Sequence, residues 1–306
     1  MFALLLGGAY TAYKHFSGLD PLKLDPQQLS KSFISVKNPE QLTTLLSSLK
    51  LPKQVIVSAK PKSTNSNYLF QFLLVADSHN DNDHLRKAIS QAKVSFPDIK
   101  FIIGLGDYTD VGTVEELKKA KNEFDSSSLR YFLIAGDHDL WDSRNRGLPA
   151  ETNFRQVFGP LYQSFSFDNF KFVLLDNSDN YQGIANQQHK WILDQLEVLK
   201  SEGVLGFFVF IHEPLYHPSS DHAMGKVQEE LRQQAESLIF QLKLAGVKKI
   251  FSGDIHYFSE FEEPVTKLSM LTIGAVTIER NPQAPRFAIV SVYSDGSTKV
   301  EDIEIK

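Results

Sequence analysis

Acidic and imidazole side chains recur in this chain directly behind runs of apolar residues. "FQFLLVADSH" ends in Asp77-x-His79, "KFIIGLGDYTD" in Gly106-Asp107-x-x-Asp110, and "RYFLIAGDHD" in Gly136-Asp137-His138-Asp139. Further on, "GFFVFIH" ends at His212 and "KKIFSGDIH" at Gly253-Asp254-x-His256. Carboxylate oxygens and neutral imidazole nitrogens are donors for divalent cations, and the same groups move protons near neutral pH. The 306 residues contain no cysteine, which removes disulfides, thiolate nucleophiles and cysteine-based zinc sites together. Any metal must therefore sit on His, Asp, Glu, Asn or water. A nucleophile elbow and a P-loop are both absent, and Gly104-Leu105-Gly106 has Thr109 where a dinucleotide loop needs its third glycine.

Taken singly, each of these residues has a plain structural reading. An aspartate behind a strand ordinarily caps a helix or makes a turn. His15, His84, His189 and His222 read as surface or packing residues, while Glu213 and His217 read as loop structure or as contacts to a substrate. Arg144 and Arg146, beside the third motif, read either as phosphate contacts or as solvated charges.

The elements that must position these side chains follow from the apolar pattern. Apolar strand-like runs alternate with the helical segments "DHLRKAISQAKVSF" and "TVEELKKAKNEF", so residues from Tyr68 onward read βαβαβ. Asp77, Asp107 and Asp137 stand 30 residues apart at each step, about the length of one βαβ unit. Strands joined in this way run parallel, and the three acids are expected at one crevice at their carboxyl ends. Two amphipathic segments precede the strands that end at His212 and Asp254. "YQSFSFDNFKFVLLDNSD" reads as a hairpin followed by a strand, and residues 267–306 as further strands. The fold class is α/β with more than one sheet.

In this order the motifs resemble those of the calcineurin-like metallophosphoesterases: D-x-H, G-D-x-x-D, G-N-H-D/E, a lone H, then G-H-x-H. The resemblance covers about residues 68–260. It implies an α/β/β/α sandwich of two mixed sheets flanked by helices, and two divalent ions about 3.5–4 Å apart. One ion would be held by Asp77, His79, Asp107 and His256; the other by Asp107, Asp137, His212 and Asp254. Asp110 and Asp139 would orient neighbouring imidazoles or backbone. His138 would be the catalytic residue that protonates the leaving oxygen or stabilises the phosphoryl charge, and a metal-bridging hydroxide would be the nucleophile. The implied activity is hydrolysis of a small-molecule phosphoric monoester or diester. The alternative is a catalytically impaired protein of this fold that binds or scaffolds.

Two positions depart from the pattern. Asp137 stands where the family usually has Asn, and Asp254 where it usually has His. Both fall on the second ion and add carboxylates to it, so Mn²⁺ is expected there, with Fe, Mg²⁺ and Zn²⁺ as alternatives.

Acidic residues exceed basic ones, 37 to 32, and no long basic tract is present, so nucleic acid is not an expected partner. "FALLLGGAYTAY", residues 2–13, is apolar but too short to span a bilayer. It reads equally as an export or anchoring segment and as a buried or interfacial helix; a membrane-associated or exported location is favoured over a cytoplasmic one. Residues 1–13, a spacer with short helices over 14–67, and a phosphoesterase domain over 68–306 make up the expected organisation.

Overall fold

The computed structural model describes residues 67–306 apart from Gly203 and Val227. The expected N-terminal segment and, but for Asn67, the spacer lie outside the described residues.

Strand β1 (Tyr68–Val75) starts the described chain, followed by α1 (Asn82–Ser95), β2 (Ile99–Gly104), α2 (Val114–Ser126) and β3 (Arg130–Leu133). Short helices α3 (Trp141–Asn145) and α4 (Thr152–Phe158) lead to a hairpin of β4 (Gln163–Phe167) and β5 (Phe170–Leu174). Helix α5 (Asn186–Glu202), β6 (Gly206–Phe210), α6 (Glu229–Leu244) and β7 (Lys249–Ser252) continue the βα alternation. The chain finishes with β8 (Ser259–Glu262), β9 (Ser269–Thr272), β10 (Arg286–Tyr293) and β11 (Thr298–Glu304). The segment expected as a hairpin plus a further strand is the hairpin alone: residues 175–178 leave the sheet as a polar loop.

Two mixed sheets result. The first has the order β11-β10-β1-β2-β3, with β1, β2 and β3 parallel and the last two strands added antiparallel. The second has the order β4-β5-β6-β7-β9-β8, with a parallel centre and antiparallel edges. The period of two along each strand divides the side chains into layers. Phe70, Phe72 and Leu74 of β1 face the second sheet, while Leu73 and Val75 face the helical layer with Leu85, Ile89, Leu117 and Phe124. Likewise Phe208 and Phe210 of β6 face the first sheet, and Phe207 and Val209 face α5 and α6. The layers are therefore α/β/β/α.

The layer between the sheets is a slab of phenylalanine. Phe72 stacks on Phe101 at 5.3 Å between ring centroids and meets Phe172, Phe210 and Phe251 edge-on. Such pairs contribute beyond the apolar area they bury, so the slab sets the spacing and orientation of the two sheets. Among the described residues no helix is long and apolar enough to cross a membrane.

Helix α2 shows how a local signal reaches the centre of the molecule. Thr113 and Glu116 form a capping box, with Glu116 N donating to Thr113 Oγ1 at 3.2 Å and Thr113 N to Glu116 Oε2 at 2.9 Å. The other oxygen, Glu116 Oε1, accepts from Asn80 Nδ2 at 2.8 Å, tying the start of α2 to the loop behind β1.

Phe72→Ala is expected to cost about 3–5 kcal/mol, seen as a lowered urea midpoint. Tyr68→Ala, at the exposed end of the same strand, should change the midpoint little.

Candidate metal centre

All five expected strand ends meet at one edge of the sandwich. Asp77, Asp107 and Asp137 follow β1, β2 and β3 of the first sheet; His212 and Asp254 follow β6 and β7 of the second. Parallel pairing continues past the strands into the loops. Asp77 N donates to the Gly106 carbonyl, His79 N to that of Asp107 and Asn80 N to that of Tyr108, each at 3.0 Å, and Gly253 N donates to the His212 carbonyl at 3.0 Å. The loops are thus as fixed as the sheets.

Their backbone is unusual. Asp77, His79, Asn80, Asp107, Asp254 and His256 all have φ between 41° and 65°, the left-handed region. Asp, Asn and His tolerate that region better than other residues with a Cβ, yet each still costs about 1 kcal/mol or more. The glycines before the aspartates are required by close approach. A Cβ on Gly136 would overlap the Asp107 carboxylate, and one on Gly106 would lie 2.5 Å from Gly136 N and 2.6 Å from His212 Nδ1.

Donor atoms gather in two neighbouring clusters linked by Asp107. Asp77, His79, Asp107 and His256 each place one ligand atom within 4.8 Å of the others, as do Asp137, His212 and Asp254. His79 Nε2 is 3.6 Å from Asp107 Oδ2 and 3.2 Å from His256 Nε2. His212 Nε2 is 3.5 Å from Asp107 Oδ1, 3.8 Å from Asp137 Oδ1 and 3.9 Å from Asp254 Oδ1. Donors that each bind one cation at about 2.0–2.2 Å stand about 3–4 Å from one another, so these separations fit. A third grouping brings His138 within the same reach of Asp107 and Asp137.

The imidazoles are oriented by backbone carbonyls. Because a carbonyl can only accept, His212 Nδ1 donates to Leu105 O at 2.6 Å, His256 Nδ1 to Arg280 O at 2.9 Å and His138 Nδ1 to Asp110 O at 2.7 Å. Each ring then presents Nε2 to the centre. His138 is also stacked on Trp141, with 3.8 Å between centroids. Asp139 is a buttress: Oδ1 accepts from Thr109 N and Oγ1 and Oδ2 from Gly136 N. Asp110 accepts from Asn80 Nδ2 and stands 3.8 Å from His79 Nδ1.

Charge is the dominant feature. Burial pushes the Asp107 carboxyl well above its ordinary pKa, with Asp137, Asp139 and Asp77 adding to the shift against the opposing pull of His212. Burial likewise raises Asp254 to about 6 and Glu213 to about 8. His79 is pushed down to about 3, first by burial and then by His138 and His256. Burial also disfavours charge on His212, but Asp107, Asp137 and Asp254 outweigh it and hold its pKa well above the ordinary value. Asp77 Oδ2 and His212 Nε2, the latter facing three carboxylates of the centre, are buried without hydrogen-bond partners; His79 Nδ1 is too, but it is turned toward Asp110. Orphaned donors of this type beside crowded carboxylates fit divalent cations.

A cavity of about 580 Å³ opens on the clusters and is lined, among others, by Asn177, Asn180, Glu213, His222 and Arg280. Asn180 Nδ2 donates to Asp137 Oδ2 at 3.1 Å, and Asn177 clamps the backbone of Glu213 through both ends of its amide. His222, expected as a surface or packing residue, is an exposed residue that also lines this cavity, its Nδ1 4.0 Å from Asp254 Oδ1. Arg144 and Arg146 do not line it: Arg144 lies over Tyr181 near Asp179, and Arg146 pairs with Asp142. His217 is buried, its Nδ1 accepting from Ser219 N and Ser220 N. The polar run "DNSDN" behind β5 was the available signal for Asn177 and Asn180; nothing in the local pattern marks Arg280.

Residues 70–258 match the family described as calcineurin-like phosphoesterase. The chain belongs to that family. Among calcineurin-like phosphoesterases, it is 25% identical over 186 residues to the human serine/threonine-protein phosphatase CPPED1, covering 58% of this chain and 57% of that protein. The chain thus spans a little over half the length of that relative. It is 22% identical over 222 residues to the 3',5'-cyclic-nucleotide phosphodiesterase alr5338 of Nostoc, covering 68% and 78% of the two chains. Its fold matches the purple acid phosphatase PPD1 of yellow lupin with a TM-score of 0.59 at 12% identity, over 78% of this chain and 52% of that one.

A pH-dependent stability follows from these charges. A carboxyl raised in the folded state retains a proton that the unfolded chain has released, and a raised imidazole behaves with the same sign, so stability falls as pH rises. Between pH 7.5 and 8.5 His79 is neutral folded and largely so unfolded, while Glu213 and His212 still hold extra protons. Chelator-treated protein is expected to lose thermal stability across that interval, and added Mn²⁺ to raise Tm more at pH 8.5 than at 7.5. Differential scanning calorimetry would show this; equal gains at both pH values would contradict it.

Proposed function

We propose that this chain is a metal-dependent phosphoric ester hydrolase. The observation that carries the reading is two neighbouring donor clusters, Asp77 with His79, Asp107 and His256, and Asp137 with His212 and Asp254, assembled from both sheets and linked by Asp107, whose two carboxylate oxygens lie 3.6 Å from His79 Nε2 and 3.5 Å from His212 Nε2. Asp77, His79, Asp107 and His256 would hold one divalent ion, and Asp107, Asp137, His212 and Asp254 the other. Two such ions would lower the pKa of a water between them and neutralise the phosphoryl oxygens.

The remaining work falls to the protein's own groups. His138 would be the catalytic acid: its Nδ1–H is committed to the Asp110 carbonyl and its ring is held by Trp141, so Nε2 faces the cavity, and in the imidazolium form it would pass its proton to the leaving oxygen and return to the neutral Nδ1–H tautomer. Leu105 O and Arg280 O hold His212 and His256 in the tautomer whose Nε2 is free to bind a cation. Asp139 fixes the Gly136 backbone and thereby the Asp137–His138 turn.

The second site would combine Asp107, Asp137 and Asp254 with a single imidazole. Such hard oxygen donors favour Mn²⁺ or Mg²⁺ over Zn²⁺. The relatives include a phosphatase and a phosphodiesterase, and the cavity admits small-molecule esters of either kind.

The deciding experiment assays p-nitrophenyl phosphate and its bis-ester with Mn²⁺ alongside metal analysis. Asp107→Ala should abolish turnover and reduce bound metal. His138→Ala should retain metal and lose roughly 10²–10⁴-fold in kcat. A folded parent that binds metal but cleaves neither ester would instead be a binding module. Asp254→His should raise Zn²⁺ affinity relative to Mn²⁺ at the second site, measurable by calorimetric titration; unchanged selectivity would count against the carboxylate argument.

A further inference from the structure

The segment joining β9 to β10 contributes to the cavity although it carries none of the donor residues. Its backbone is stitched to both sides of the centre. Val276 N donates to the Ala76 carbonyl at 3.0 Å, Thr277 N to that of Asp77 at 3.1 Å and Ala275 N to that of His256 at 3.3 Å. Asn281 closes the segment into a hook, its Nδ2 donating to the carbonyls of Ala275 and Thr277 at 3.1 and 2.8 Å. Ile278 N reaches Asp81 Oδ2 at 3.4 Å.

Arg280 stands at the turn of this hook with φ of 54°. Glycine or asparagine would adopt that conformation at lower cost, and the exposed Arg280 side chain stands beside the cavity it lines. Its carbonyl is already used by His256 Nδ1. Its side chain has no such commitment: among the described residues no carboxylate lies within ion-pair distance, whereas Arg86, Arg146, Arg232 and Arg286 each have one. Among the described residues it is also the one arginine or lysine that lines the cavity.

The charge of the centre gives that side chain a role. Asp77, Asp107, Asp137 and Asp254 together balance two divalent ions, which leaves the loaded centre with little net attraction for an anion. A guanidinium is permanently charged, and its planar fork matches two oxygens of one phosphate. We propose that Arg280 is a specificity-determining residue that grips the non-bridging oxygens of the substrate's phosphoryl group and favours phosphomonoesters. A monoester retains three such oxygens and up to two charges, a diester two oxygens and one charge; the monoester can engage both the centre and the fork. The inference rests on the phosphoric-ester reading above and names its substrate class.

The test uses the full chain loaded with Mn²⁺ and inorganic phosphate as the probe. Calorimetry on the parent, Arg280→Ala, Arg280→Asn and Arg280→Lys should give phosphate binding about 10–100-fold weaker in the Ala and Asn variants, partly restored by Lys. Arg280→Asn keeps a residue suited to the left-handed backbone and so separates lost charge from lost fold. Bound metal should be unchanged, because the carbonyl that holds His256 remains. For p-nitrophenyl phosphate KM should rise with kcat nearly constant, and the bis-ester should be affected less. Arg146→Ala, an exposed charge change away from the cavity, should match the parent. Unaltered phosphate affinity in Arg280→Ala and Arg280→Asn, loss of metal in both, or a parent that binds no phosphate would overturn the assignment. Arg280-dependent phosphate binding without hydrolysis of either ester would uphold the anion subsite while removing the hydrolase reading. Hydrolysis unaffected by every Arg280 substitution would do the reverse.

Discussion

Four carboxylates brought together at the edge of a sandwich repel one another, and everything around them answers to that repulsion. Asp77 and Asp107 are almost wholly buried, and Asp137 and Asp254 are within reach of the same imidazole. Without cations the chain responds by retaining protons on Asp77, Asp107, Asp254 and His212, while Asp137, beside His212 and Asn180, keeps its charge. An arrangement so unfavourable by itself fits a receptor for positive charge, since buried unpaired carboxylates are costly.

Holding the acids in place requires rigidity on both sides. The phenylalanine slab fixes one sheet against the other, and parallel pairing extended into the loops carries that rigidity to the acids themselves. The left-handed residues at Asp77, His79, Asp107, Asp254 and His256 are part of the same device. Their backbone turns sharply enough to aim consecutive side chains at one point, and the surrounding hydrogen bonds offset the strain. Gly106 and Gly136 serve the opposite end, letting two such turns touch.

Much of this was legible in the sequence because it is carried by strands and their ends. An apolar run that stops at an acid identifies both a strand and a place in the crevice, and the recurrence of that pattern was enough to group Asp77, Asp107, Asp137, His212 and Asp254. What could not be read depends on contacts between distant loops. His222 looks like any exposed histidine until the loop behind β6 brings it beside Asp254. Arg144 and Arg146 lie next to the third motif in sequence, yet α3 directs them to Tyr181, Asp179 and Asp142. The partners of three site imidazoles are main-chain carbonyls, which leave no trace in residue type.

That last feature bears on how such a centre can diversify. A carboxylate that orients a histidine must be inherited with it, whereas a peptide carbonyl is supplied by whatever amino acid occupies the position. Residue 280, exposed at the cavity, can therefore change side chain while the ring it holds keeps its tautomer, whereas Leu105 is tied to the core and Asp110 to Asn80. One position on the rim of the cavity is thus open to mutation, and a descendant of this centre can alter that rim without disturbing the imidazole beneath it.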